Sequence, residues 1–233
     1  MKTLLSLLFL SFSLYSTAQD ANVLLNKVTS KLNSVEDYTV QANIKADIPM
    51  IKILPSQAKI YFKQKDKFKV ESKGISILPK QGFSEMSSFL NNKKGYVAVA
   101  GEQATIDGVK TQLITVIPND EAGDMILAKL WIDTKRSVIM KSQMTTKGNG
   151  TVTSTYSYAT EVSFGLPSKL VFEIDVKKFK LPKSVAADIN KTSSKTPKKP
   201  KDKGTITITL TDYKINQGLS DSLFKSADKK KKN

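Results

Sequence analysis

The 233-residue chain contains no cysteine and no histidine. The first absence excludes disulfides, thiolate nucleophiles and thiolate metal ligands. The second removes imidazole from metal binding and from Ser–His hydrolase chemistry. Tryptophan occurs once. Long apolar runs are also missing: beyond residue 18 no stretch approaches the ~20 apolar residues that a membrane-spanning helix needs. Gly148-Asn149-Gly150 has no third glycine and no Gly-Lys-Ser/Thr phrase, so it spells a hairpin turn and not a phosphate loop. The carboxylate pairs Glu36-Asp37 and Asp120-Glu121 fall in turns and read as ordinary surface. Nothing favours a chemical step, so no cofactor, no metal and no enzyme activity are expected.

The chain opens with a basic Met1-Lys2, an apolar run from Leu4 to Leu14, and small residues at Ser16 and Ala18. That is the layout of a cleaved secretory leader, residues 1–18, with the mature chain starting at Gln19 and exported to the periplasm. No cysteine follows the cut, so that end is not expected to carry a lipid. The net charge of +16 is unevenly placed. Ten Lys stand against two Asp in 177–203, five Lys against one Asp in 225–233, and Lys2 adds one, which leaves a net charge of only about +3 for the rest. With the basicity confined to one inserted loop and one tail, and with export, no nucleic-acid partner is expected. Those segments read either as solvated chain or as transient contacts to anionic membrane surfaces, at about 1 kcal/mol per Lys near such a surface.

Between those segments the pattern is mostly β. Asp20 is placed to cap a helix running to about Val35, with Ala21, Leu24, Leu25, Val28, Leu32 and Val35 on one stripe. Tyr38–Ile48 then alternates strictly between apolar and polar residues. Ala58–Gln64 and Phe68–Ser72 form a hairpin, and Ile75–Pro79 is a short extended piece. A brief helix capped by Ser84 follows. Tyr96–Ala100, Gln103–Ile106 and Lys110–Ile117 are further strands, the last two joined by an Asp107-Gly108 turn. The stretch 126–176 holds four strands in an up-and-down meander, and Thr205–Thr211 alternates again. No βαβ unit interrupts the series, so the sheet is antiparallel. The expected class is α+β, mainly β. One strongly curved sheet of about eleven strands forms an incomplete barrel, with the N-terminal helix and short helices across its concave side.

In this order of elements the chain resembles the LolA-like family of periplasmic lipoprotein carriers. The resemblance rests on Leu24-Leu25-Asn26-Lys27-Val28 with the following strand, on Ala58–Val70, and on Lys129-Leu130-Trp131-Ile132-Asp133 with Val138–Met144. It also rests on the ending Asp212-Tyr213-Lys214-Ile215-Asn216 followed by Asp221 and Phe224. It implies one domain over residues 19–224, acting as a monomer that holds acyl chains of lipoproteins or lipids in an apolar cavity. Cargo would come from an inner-membrane releasing complex and pass to an outer-membrane receptor. The family's second hairpin carries a Lys-Arg-Pro phrase with a functional Arg. The matching Lys63, Gln64 and Lys65 lack that Arg, while the aromatic that follows is kept as Phe68.

The candidate cavity lining is Val40, Ile44, Ile60, Phe62, Phe68, Val70, Leu130, Ile132, Met140, Tyr156, Phe172, Ile208 and Leu210. Each of these residues also serves as plain core. Trp131 has the opposite phase to Leu130 and Ile132. Burying an acyl chain of about 16 carbons gains roughly 10 kcal/mol before ordering costs. The alternative reading keeps the fold and fills the core: an envelope sensor or protein-binding module without cargo.

Overall fold

In the computed structural model the Asp20 carboxylate accepts a hydrogen bond from the Asn22 N–H at 2.8 Å and caps α1 (Ala21–Asn33). The structure describes residues 20–49, 53–65, 67–72, 85–148, 150–175 and 203–225. The leader, the extended piece at Ile75–Pro79, Ser84, the inserted loop up to 202 and the tail beyond 225 lie outside the described residues.

Alternation dictates the rest. Along β1 (Asp37–Asp47) Tyr38, Val40, Ala42 and Ile44 are buried, while Gln41, Asn43 and Lys45 are exposed. The strands that follow are β2 (Ser56–Lys63), β3 (Lys67–Ser72), β4 (Tyr96–Ile106), β5 (Val109–Pro118), β6 (Met125–Asp133), β7 (Val138–Thr146), β8 (Gly150–Ser157), β9 (Lys169–Asp175) and β10 (Lys203–Ile215). The helix α2 (Glu85–Asn91) lies between β3 and β4. All ten strands form one sheet in the order β3-β2-β1-β10-β9-β8-β7-β6-β5-β4, and every pairing is antiparallel. The two ends do not pair, so the barrel is incomplete. The expected strands at Tyr96–Ala100 and Gln103–Ile106 are one strand. A register shift between Ala100 and Gln103 bends β4 without breaking it. The Asp107-Gly108 turn has positive φ at both residues, 49° and 78°, as a tight right-twisting hairpin requires.

The late strand β10 pairs with β1 on one side and β9 on the other. It joins the N-terminal hairpins to the meander. Asp175 pairs with Lys203, so the inserted loop leaves and re-enters at one end of the sheet. At the other end, β10 runs into a strap, residues 216–225, that turns back under β1.

Asp37 holds that strap. Its side chain accepts hydrogen bonds from the N–H groups of Gln217, Gly218 and Leu219, all at 2.9 Å. Gly218 has φ 73°, which lets successive amides converge on one carboxylate. Asn216 completes the joint. Its Oδ1 accepts from the Glu36 N–H at 2.8 Å, and its Nδ2 donates to the Ser34 carbonyl at 3.0 Å. The reading of Glu36-Asp37 as ordinary surface is therefore corrected at Asp37, which is 2% exposed. Its acceptors are committed to a segment 180 residues away in sequence. Asp37→Ala leaves three amides without their acceptor, and a loss of about 2–3 kcal/mol in chemical-denaturant stability is expected. A midpoint equal to that of the parent protein would show that the strap contributes no stability.

Candidate functional site

The concave face is covered from α1. Its Ala21, Leu24, Leu25 and Val28 are at most 5% exposed and pack into one core cluster with the inward residues of the sheet. The helix α2 adds Met86 and Leu90, and the Tyr96 hydroxyl donates to the Leu90 carbonyl at 3.0 Å. Hydrogen bonds tie this cover to the rim. Lys31 Nζ donates to the carbonyls of Arg136 at 2.5 Å and Val162 at 3.2 Å. Asn33 and Asn91 exchange amide hydrogen bonds between the helices at 2.9 and 3.0 Å. Gln64 Nε2 reaches from the β2–β3 turn to the carbonyls of Asn33 at 2.7 Å and Val35 at 3.0 Å.

The Arg136 carbonyl is presented by a rigid turn. Asp133, 3% exposed, accepts from the N–H groups of Lys135 at 2.8 Å and Arg136 at 3.1 Å, and from Arg136 Nε at 2.5 Å. Burial works against its ionisation, but these hydrogen bonds and the guanidinium charge outweigh it and hold the carboxyl below the ordinary aspartate range.

Beneath the helices, where α1, α2, the β9 side of the meander and the 3-10 turn Thr160–Phe164 meet, is a cavity of about 80 Å3. Tyr38, Tyr156, Tyr158 and Tyr213 line it, with Leu32, Met86, Ile139, Leu166 and Leu170 supplying apolar walls. No charged side chain is among its described lining residues. Tyr158 donates to the Ile139 carbonyl and Tyr213 to the Pro167 carbonyl, both at 2.8 Å. The Tyr156 hydroxyl shares a 3.0 Å hydrogen bond with the fully buried Ser142. Burial pushes the phenols of Tyr38, Tyr156, Tyr158 and Tyr213 up, so all four are neutral hydroxyls at any ordinary pH. A larger depression of about 630 Å3 beside Gln41, Lys59 and Glu71 is open to solvent and lined by polar and apolar surface alike.

Of the thirteen residues predicted to line a cavity, nine are core members: Val40, Ile44, Ile60, Leu130, Ile132, Tyr156, Phe172, Ile208 and Leu210. Phe62, Phe68 and Val70 are partly buried and pack against that core from the β2–β3 hairpin. Met140 stands apart. A bulge between Trp131 and Ile132 pairs Ile132 with Ile139, so Ile139 takes the inward position and Met140 Sδ accepts from Arg136 Nη2 at 3.3 Å. Only Tyr156 of the thirteen lines the 80 Å3 cavity. Sequence reasoning missed Tyr158, Leu166 and Tyr213, which belong to a loop and a strand end where alternation gives no phase. Tyr38 was on the inward set of β1, but as an apolar residue and not as a hydroxyl. Trp131 is on the outer face, with Lys141 Nζ 5.1 Å from its ring centre.

The β2–β3 hairpin is also tied to the strap. Lys63 and Lys67 both pair with Asp221, at 2.7 and 2.6 Å, and Lys63 Nζ donates to the Leu219 carbonyl at 2.6 Å. Thus Lys63 and Gln64, at the positions where the resembling family has its functional Arg, bond to the strap and to the end of α1. The Lys63 and Lys67 hydrogen bonds and charges bring the Asp221 carboxyl down to about 2.

No protein-family model and no curated protein matches the chain. Solved structures do. An outer membrane lipoprotein-sorting protein domain from Vibrio parahaemolyticus aligns with 89% of this chain and 97% of its own, at a TM-score of 0.60 and 8% identity. A LolA superfamily protein from Nitrosomonas europaea aligns with 88% of this chain and 97% of its own, at 0.58 and 13%. A DUF1329 family protein from Desulfovibrio piger gives the same coverage at 0.56 and 10%. At these identities the likeness is one of fold, and that fold is LolA-like in a divergent form. Among the described residues no helix is long and apolar enough to cross a membrane, and no acidic group is arranged to hold a metal.

The low Asp221 pKa gives a pH dependence. Its ordinary value is 3.8, so its part in docking the strap is fully present above that pH and is lost as pH falls through about 2. Amide exchange at residues 221–224 should speed up across that window in the parent protein. Asp221→Asn should give fast exchange at every pH. Equal protection in the two proteins at pH 6 would show that the ion pairs do not hold the strap.

Proposed function

We propose that the protein is a periplasmic carrier that holds the acyl chain of a lipid or lipoprotein between its helices and the concave face of the sheet, without chemical change. The observation that carries this reading is the cover itself. A ten-stranded apolar face is closed by helices of 13 and 7 residues that are tied at their margins by hydrogen bonds from Lys31, Asn33, Asn91 and Gln64. Such ties are exchangeable with water, so the cover can lift without exposing unsatisfied backbone. The lipoprotein-sorting description of one solved neighbour points to the same cargo class. The leader at 1–18 supplies the route to the periplasm, and a releasing complex at the inner membrane and a receptor at the outer membrane are the partners such a carrier needs. The chain acts as a monomer on this reading, with the Lys-rich segments 177–203 and 225–233 giving transient contact to membrane surfaces.

The second reading, an envelope sensor or protein-binding module, is favoured by the tight packing. A cavity of about 80 Å3 holds roughly three water-sized groups, against the some 16 carbons of a lipid chain. On the carrier reading the helices must therefore move to admit cargo.

Protein purified from its native envelope should carry lipid or lipoprotein when its intact mass is recorded under non-denaturing conditions, and the emptied protein should take up a fluorescent fatty acid. Repeated cargo-free preparations with no uptake would overturn the carrier reading. Phe68 sits opposite Phe62 on the β2–β3 hairpin. Phe68→Glu should weaken cargo retention by about tenfold or more while the melting transition stays cooperative. Unchanged retention removes Phe68 from the site.

A further inference from the structure

Among the four tyrosine hydroxyls of the cavity, one is out of keeping with the others. Tyr38 is 6% exposed, its ring stacks on Phe62 at 5.1 Å and meets the edge of Tyr213 at 5.6 Å, and it lines the cavity. Yet its hydroxyl has no hydrogen-bond partner among the described residues. A buried hydroxyl without a partner is costly and uncommon in a folded protein. The neighbouring phenols are committed: Tyr158 and Tyr213 donate to backbone carbonyls, and Tyr156 shares its proton with Ser142. The uncommitted donor among the four tyrosines is Tyr38.

What the cavity asks of a ligand follows from that. The ligand must supply an acceptor. It must be neutral, because no lysine or arginine is among the described lining residues, Lys31 on α1 is occupied by two carbonyls, and Arg136, whose charge is felt at Tyr158, is paired with Asp133. An ionised carboxylate buried there would lose its hydration without gaining a counter-charge. The acceptor must also lie next to apolar chain, since Leu32, Met86, Ile139, Leu166 and Leu170 form the walls. A carbonyl between a chain and a head group meets all three conditions. We infer that Tyr38 donates a hydrogen bond to the ester or amide carbonyl of a bound acyl chain, so that the site selects acyl esters and amides over free fatty acids and over chains without a carbonyl. The cavity is large enough for that carbonyl and its first methylenes, and the rest of the chain runs under the lifted helices. This inference rests on the carrier reading and narrows it to one chemical class of cargo.

The test compares two probes that differ only at the carbonyl: a fluorescently tagged monoacylglycerol ester and its alkyl ether analogue, with the tagged free fatty acid as a third. The parent protein should bind the ester about tenfold more tightly than the ether, the usual size of one hydrogen bond in a buried site. Tyr38→Phe keeps the ring and its stacking and should lower ester affinity to that of the ether, leaving ether affinity as it was. The empty variant should melt no lower than the parent, because the substitution removes an unsatisfied group; that melting temperature separates loss of the hydrogen bond from loss of the fold. Equal ester and ether affinity in the parent, or an ester preference that survives in Tyr38→Phe, overturns the inference and leaves the carrier reading standing. Absence of binding by all three probes overturns both.

Discussion

Ten antiparallel strands with one apolar face have to hide that face, and among the described residues two α-helices are available to do it. Laid flat at ~4.8 Å per strand, the sheet would be about 43 Å across, whereas α1 with its 13 residues is about 20 Å long and 10 Å wide. No flat arrangement can be covered. The sheet has to curl until its own ends approach the helix, and the bulges in β4, β6, β7 and β10 are where the backbone takes up that curvature. Curvature, helix length and the apolar alternation on every strand are one constraint seen from three sides.

The strand order serves the same end: β10 lies between β1 and β9, β1 is the third strand from one edge of the ten, and α1, which leads into β1, packs on the inward residues of the sheet. The cost is a long-range closure between residues 37 and 219, and Asp37 and Asn216 are the groups that fix it. The joint is made of backbone amides converging on single side chains. It therefore fixes the register of the last strand against the first, which apolar packing alone would leave free to slip by two residues.

Much of this was legible in the sequence. The alternation in β1, β2 and β10 gave both the strands and their inward sets, and Asp20 with the Leu24, Leu25 and Val28 stripe gave the helix. What escaped had physical reasons. Asp37 looks like any acidic turn residue until the amides that donate to it are found far along the chain. Met140 has the right phase by counting, but the bulge at Trp131 shifts the count by one and hands the inward place to Ile139. The break expected in β4 is a bend, because Gly101 and its neighbours leave the ladder without ending it. The tyrosine cavity was the least legible part. Its lining comes from α1, α2, the loop residues Tyr158 and Gly165–Pro167, and five separate strands, and only the assembled sheet brings them together.

The electrostatics of the molecule follow the same geometry. The cavity lies at the Lys169 and Leu170 end of β9, and the basic insertion is anchored at the other end, at Asp175 and Lys203. Seven residues of extended chain separate these ends by about 20 Å, more than twice the screening length at physiological salt. The described cavity wall contributes no charge of its own. Selection inside the cavity therefore rests on shape, apolar area and neutral hydroxyls. The strand ends that flank the basic insertion, Asp175 and Lys203, are at the far end of β9 from those groups.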